Sequence, residues 1–147
     1  MEPIFECNCA AVRSAARAVT KAYDDVLRPL ELRMTQYTIL SKVSKEGQLA
    51  LSDLADRMVM DRTTLARNIK PLEREGWIEV AVGSDRRERL LSVTASGQAL
   101  LERARPLWLD TSRRLDEKLG PQQAETLRLT MREVVKAARE LSDEAAA

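Results

Sequence analysis

The chain has 147 residues, 44% apolar and 32% charged, with a formal net charge of +1, a profile that excludes a disordered protein and points to a folded globular one. One Phe, two Tyr and two Trp leave a core of Leu, Val, Ile, Ala and Met, which suits helix-on-helix packing better than a sandwich of sheets. The complete absence of His removes the commonest general base and metal ligand and argues against an enzyme, and the balanced charge requires any nucleic-acid surface to be a local feature.

The first residues, Met1–Cys9, carry Glu2 and Glu6 and no basic segment ahead of an apolar run, so they do not read as a secretory leader. With no run near the ~20 apolar residues of a membrane span, a cytoplasmic location is expected. Cys7 and Cys9 are then expected as thiols. Val12, Ala15, Val19, Ala22 and Val26 recur at helical spacing and predict a helix from Cys9 to about Arg28, ended by Pro29. A second helix is predicted over Gln36–Glu46, with Thr35 as N-cap and Gly47 at its C-terminus. Ser52 is expected to cap a short third helix holding Leu54, Ala55 and Met58. Asp61 is expected to cap a fourth, running to about Glu75 and closed by Gly76.

Two short alternating runs follow, Trp77–Val82 and Arg89–Val93, separated by Gly83-Ser84-Asp85-Arg86-Arg87-Glu88. They read as a β-hairpin with a charged tip. Thr94 starts a long helix to about Leu119, expected to bend at Pro106, and Gly120-Pro121 opens the last helix. Its apolar stripe is Ala124, Leu127, Met131, Val134, Ala138 and Leu141.

The order is three short helices, a hairpin and long helices at both ends. The predicted fold class is mainly α with a small β-hairpin wing: a winged helix-turn-helix over residues 34–94, and a helical dimerisation region over 7–30 and 95–143. The terminal helices carry more apolar surface than a central domain of ~60 residues covers, which favours pairing of two copies. A homodimer is therefore expected.

The fourth helix is where function is expected. Leu65, Ile69 and Leu72 lie within ~60° of one another on a helical wheel and face a core. Thr63, Arg67, Lys70 and Arg74 project from the other side, flanked by Arg62 and Thr64. Residues 61–70 make a rod ~15 Å long, which a major groove ~12 Å wide accepts. Arg67 has the reach for bidentate contact with guanine, and Lys70 suits a phosphate. Ser52 belongs to the same predicted DNA-binding set. Charge alone fits a solvated helix face equally well. The hairpin decides against that, because Arg86 and Arg87 at its tip suit insertion into an electronegative minor groove, with Asp85 orienting Arg87 by an ion pair.

On these residues the sequence resembles the MarR family of bacterial regulators. The resemblance runs from Cys9 to Leu141, and its most specific stretch is Asp85-Arg86-Arg87-Glu88-Arg89-Leu90-Leu91-Ser92-Val93-Thr94. Leu54–Met58, Asp61–Leu65 and Leu72–Ile78 are also similar to that family's reading head. The resemblance implies a two-fold dimer of winged helix-turn-helix units, usually a repressor, released from duplex DNA by a small ligand or by oxidation. Pro71 is a departure, expected to bend the fourth helix just past the DNA-facing residues.

Cys9 with Tyr23 is similar to the organic-hydroperoxide-sensing branch, which implies a redox role for Cys9. A helix N-terminus favours anions, and the thiolate is the reactive form of a cysteine. Arg13 and Met34 stand where that branch has further tyrosines. A disulfide from Cys9 to Cys7 is disfavoured on a helix, where the pair points ~200° apart. Arg17, Tyr23 and Tyr37 are candidates to line a pocket for an effector such as an aromatic acid or a lipophilic compound. No cofactor or metal is expected, since Cys-x-Cys lacks further ligands. A protein-interaction module without DNA binding is the alternative from another class.

Overall fold

The computed structural model describes Met1 and residues 5–147; Glu2, one of the acids weighed against a leader, lies outside them. The elements are α1 (Asn8–Leu27), α2 (Met34–Glu46), β1 (Leu49–Ala50), α3 (Leu51–Arg57), α4 (Arg62–Arg74), β2 (Ile78–Val82), β3 (Arg89–Val93), α5 (Ala95–Leu119) and α6 (Pro121–Ala146). A single 3-10 turn, Arg28–Leu30, holds Pro29 just after α1, consistent with a proline ending the helix. Both α4 and α5 run unbroken through their internal prolines, Pro71 and Pro106. Among the described residues no helix is long and apolar enough to cross a membrane.

Three local expectations are corrected. Thr35 is not the cap of α2, which begins at Met34 after Arg33. The Asp24 carboxylate, ten residues upstream on α1, accepts the Met34 N–H at 2.7 Å, and the Gln36 side chain accepts the Arg33 N–H at 2.9 Å. The first N–H groups of the α2 start are thus satisfied once from α1 and once from the helix's own first turn. Ser52 is not the cap of α3 either; it lies inside the helix, whose N-cap is Ala50 without a side-chain bond. The cause is an unpredicted strand. Leu49 and Ala50 pair with Leu91 and Leu90, giving an antiparallel sheet of order β1-β3-β2. Two residues are too few to show an alternating pattern, so only pairing with β3 reveals them. Cys7 is the N-cap of α1 rather than part of it, and its Sγ accepts the Ala10 N–H at 3.4 Å.

Two compact units are present, Met1–Thr111 and Ser112–Ala147. In the first, one core joins Leu27 from α1, Ile39, Leu40 and Val43 from α2, and Leu54 from α3 to Leu65, Ile69 and Leu72 from α4. Ile78 and Leu91 close it from the sheet, and Leu100, Leu101 and Ala104 from the first half of α5. Fully burying such side chains stabilises by about 1.5–3 kcal/mol each. The second unit contains the end of α5 and α6, where Arg128 pairs with Asp116 at 3.1 Å.

The Asp24–Met34 bond ties α1 to α2 and invites a direct test. Asp24→Ala should lower the unfolding free energy by about 1–2 kcal/mol, because the Met34 N–H loses its partner. Asp24→Asn should keep most of that stability, since an amide oxygen still accepts. Equal losses in urea titrations of the two variants would mean that the charge, and not the bond, matters.

Candidate nucleic-acid interface

Helices α3 and α4 are joined by a tight turn whose backbone explains its shape. Val59 stands in the left-handed region with φ 53°. Met60 N–H bonds back to Ala55 O at 2.9 Å, and Val59 N–H to Asp56 O at 3.2 Å, the bonding of a helix end closed by a left-handed residue. Asp61 then caps α4 as expected. Its carboxylate accepts both the Thr64 N–H, at 2.8 Å, and the Thr64 hydroxyl, at 2.5 Å. Those bonds hold the Asp61 carboxyl below its ordinary value, so it is ionised at neutral pH. They also commit the Thr64 hydroxyl to the cap, leaving Thr63 as the free hydroxyl at the leading edge.

Leu65, Ile69 and Leu72 are buried, and Arg62, Thr63, Arg67, Lys70 and Arg74 are exposed. The two faces of α4 therefore stand as the periodicity predicts. Asn68, between them, donates to Thr64 O at 2.9 Å and contacts the Met60 sulfur at 4.0 Å, bracing the turn against the helix. Sequence periodicity does not single it out, because a half-buried Asn in a helix is ordinary.

The wing is built by β2 and β3, in register from Ile78 opposite Val93 to Val82 opposite Arg89. Its tip is self-bonded: Glu88 N–H to Asp85 O at 2.9 Å, and Gly83 N–H to Glu88 O at 3.1 Å. Asp85 acts chiefly on the backbone, its carboxylate accepting the Arg87 N–H at 2.9 Å. The expected ion pair is loose, with Arg87 Nε 3.6 Å away and the Arg87 side chain 94% exposed. Asp85 therefore shapes the tip and leaves the Arg87 guanidinium free to move, and Arg86 is exposed beside it. Arg89 is committed to the loop, donating to Arg86 O at 2.8 Å.

One cleft of about 550 Å³ brings the start of α3, the start of α4 and the wing together. Ser52, Arg62, Asp85 and Arg87 line it, along with Leu51, Ser84, Glu88 and Arg89. Four residues singled out from three separate segments thus share one wall. Arg67 and Lys70 lie further along the exposed face of α4, outside this lining.

The residues proposed for sensing are dispersed. Tyr37 is buried in the core and stacks on Trp108, ring centroids 5.6 Å apart; burial raises its hydroxyl pKa. Tyr23 is buried on α1. Arg17 lines a second cleft, about 690 Å³, with Lys21, Arg28 and Arg33 among its walls, and neither tyrosine belongs to that lining. Cys9 and Tyr23 share α1 but are separated by ~21 Å of helix rise, so they cannot bond within one chain. Cys7 and Cys9 are both exposed. Because Cys7 has extended backbone, φ −146° and ψ 162°, the helical-wheel objection to a Cys7–Cys9 bridge no longer applies.

A short helix, a tight turn, a second helix with a cationic outer face and an adjoining two-stranded wing define a winged helix-turn-helix protein of the DNA-binding kind. The MarR family model matches residues 32–88. The transcriptional regulator MosR of M. tuberculosis, solved in complex with DNA, superposes with a TM-score of 0.83 at 35% identity, over 92% of this chain and 98% of that one. The chain belongs to the MarR family of transcriptional regulators. Among curated relatives, the HTH-type regulator YwoH of Bacillus subtilis is 26% identical over 91 residues, or 62% of this chain. The organic hydroperoxide resistance transcriptional regulator of the same organism is 28% identical over 97 residues, or 65% of this chain. Each match spans 66% of the relative, just under two thirds of its length.

Val59 gives this region its testable oddity. A β-branched side chain in left-handed backbone costs about 1–2 kcal/mol, and Val59 is 56% exposed, so little burial offsets it. Val59→Gly should raise the unfolding free energy by roughly 0.5–1 kcal/mol after the added flexibility of the unfolded chain. A drop in thermal midpoint instead would show that the valine side chain makes a stabilising contact.

Proposed function

We propose that this chain acts as a homodimer on a pseudo-palindromic duplex operator, as a repressor relieved by a small-molecule effector. In this reading α4 enters the major groove and the wing reaches the flanking minor groove. The cleft shared by Ser52, Arg62, Asp85 and Arg87 is the observation that carries it, since it brings the start of α4 and the arginine-bearing wing together. The likeness to MosR in its DNA complex supports the same placement. Arg67 is assigned to guanine, Lys70 to phosphate, and Arg86 and Arg87 to the minor groove.

Pairing is supported by α6. Leu127, Met131, Val134, Ala138 and Leu141 alternate at spacings of four and three, the seam of a helix that packs against another. Leu127, Val134 and Leu141 are 44%, 37% and 67% exposed in the single chain, an apolar row that a second copy would cover. For the effector, the cleft that Arg17 lines holds Asp24, Asp25 and Glu31 as well as four cations; Lys21 and Arg28 are paired to Asp25, so Arg17 and Arg33 are the cations it offers the carboxylate of an aromatic acid.

Selection from a random duplex library tests the main reading. The recovered operator should be an imperfect palindrome with half-site centres ~10 bp apart, and log affinity should fall linearly with log salt. Arg67→Ala should weaken binding by about 1–3 kcal/mol and relax preference at one base position. Equal weakening on every sequence would remove Arg67 from base reading, and salt-independent binding would favour a protein-interaction module.

Oxidation at Cys9 is a second reading, favoured by two exposed thiols, one at the N-cap and one in the first turn of α1, and by similarity to the hydroperoxide resistance regulator. A sulfenic acid formed at Cys9 would condense with Cys7, two residues away, releasing water. Titrating the DNA complex with cumene hydroperoxide should release wild type and not Cys9→Ser. Identical release curves would exclude the thiol switch.

A further inference from the structure

The junction between the end of α4 and the start of α5 is bonded more densely than a helix start requires. Gly76 closes α4 in left-handed backbone, φ 74°. Its carbonyl accepts two hydroxyls from across the sheet, Thr94 at 2.6 Å and Ser96 at 2.9 Å. Thr94 Oγ1 also accepts the Gly97 N–H at 3.1 Å, capping α5, and Thr94 N–H donates to Trp77 O at 3.1 Å. One hydroxyl thus spends its donor on α4 and an acceptor on α5.

Gly97 is the second observation. It lies in the first turn of α5 with no left-handed backbone to demand glycine, where glycine costs about 0.5–1 kcal/mol relative to alanine. A Cβ there would stand 2.2 Å from Trp77 O and 2.8 Å from a Val93 methyl. Only glycine lets α5 approach the α4–β2 turn this closely. One residue on, Gln98 Oε1 accepts the Ser44 hydroxyl at 2.7 Å, so the same turn of α5 is also held to α2.

We propose that Thr94, Ser96 and Gly97 are positioning residues that lock the angle between the DNA-reading helix α4 and the long helix α5, and so set the half-site spacing a dimer accepts. The inference rests on the dimeric DNA-binding reading above. Within its own unit α5 runs ~21 Å from Gly97 to Thr111, so a 10° tilt at its root moves that end by about 3.7 Å, the scale of the ~3.4 Å rise of one base pair. A cap that merely stabilised α5 would need one hydroxyl and no glycine.

The test uses the operator that wild type selects, rebuilt with spacers one base pair shorter, unchanged, and one and two longer, together with a lone half-site duplex. Wild type should discriminate against altered spacers by about tenfold. Thr94→Val, which keeps the shape and removes the hydroxyl, should flatten this to about threefold or less while half-site affinity stays within about twofold. Thr94→Ser should restore the wild-type profile. Ser96→Ala, which removes one of the two bonds to Gly76, should give an intermediate profile and stands in if Thr94→Val does not fold. Weakening by one common factor on all duplexes, or an unchanged spacer profile, overturns the positioning role. A wild-type protein that selects no palindrome, or binds one half-site as a monomer, fails at the dimeric reading itself and takes this inference with it.

Discussion

The face that α4 presents outward depends on the burial of one stripe, Leu65, Ile69 and Leu72, against the core formed with Leu40, Val43 and Leu54. That burial is worth roughly 5–9 kcal/mol by side-chain transfer, against stabilities of about 5–15 kcal/mol for whole domains. Rotating α4 would expose the stripe and push Arg67 and Lys70 inward, where an unpaired cation costs several kcal/mol. The rotational setting of the helix is thereby decided by its buried side. Its cationic face is a consequence of that setting.

Charge then acts locally. With 24 basic and 23 acidic residues, attraction to a polyanion cannot come from the whole molecule, and at physiological salt fields from distant charges are screened within ~8 Å. Acids near the interface serve construction. Asp61 holds the first turn of α4 through Thr64, and Asp85 holds the wing tip through the Arg87 backbone. Both shape their segments while the neighbouring arginine side chains remain exposed. The reading head is thus a built arrangement of cations on an otherwise balanced surface.

Rigid joints and unfilled apolar surface divide the molecule's tasks. Asp24 ties α1 to α2, and the hydroxyls of Thr94 and Ser96 tie α5 to the end of α4. The head therefore has little freedom against the roots of the long helices. Beyond Thr111 the chain forms a separate unit, and the exposed row on α6 belongs there. A head with bonded roots and helices with an uncovered seam suit a protein whose partner geometry matters as much as its contact residues.

The sequence alone determined the order of the helices and the hairpin, the two faces of α4, the Asp61 cap, the two hairpin strands and the wing's arginines, because each is written in residues at most a few positions apart. Helical and strand periodicities and a capping carboxylate are local physics. What only the tertiary structure decided are contacts between distant segments. Leu49–Ala50 becomes a strand because β3 lies beside it, and that strand, rather than Ser52, starts α3. The Met34 N–H is taken by Asp24, Tyr37 goes to Trp108 and lines neither of the two clefts described, and Cys7 leaves the helix that Cys9 enters. Gly97 reads in sequence as a weak helix residue; its purpose is visible only when the Trp77 carbonyl, twenty residues earlier, is seen filling the space a side chain would take.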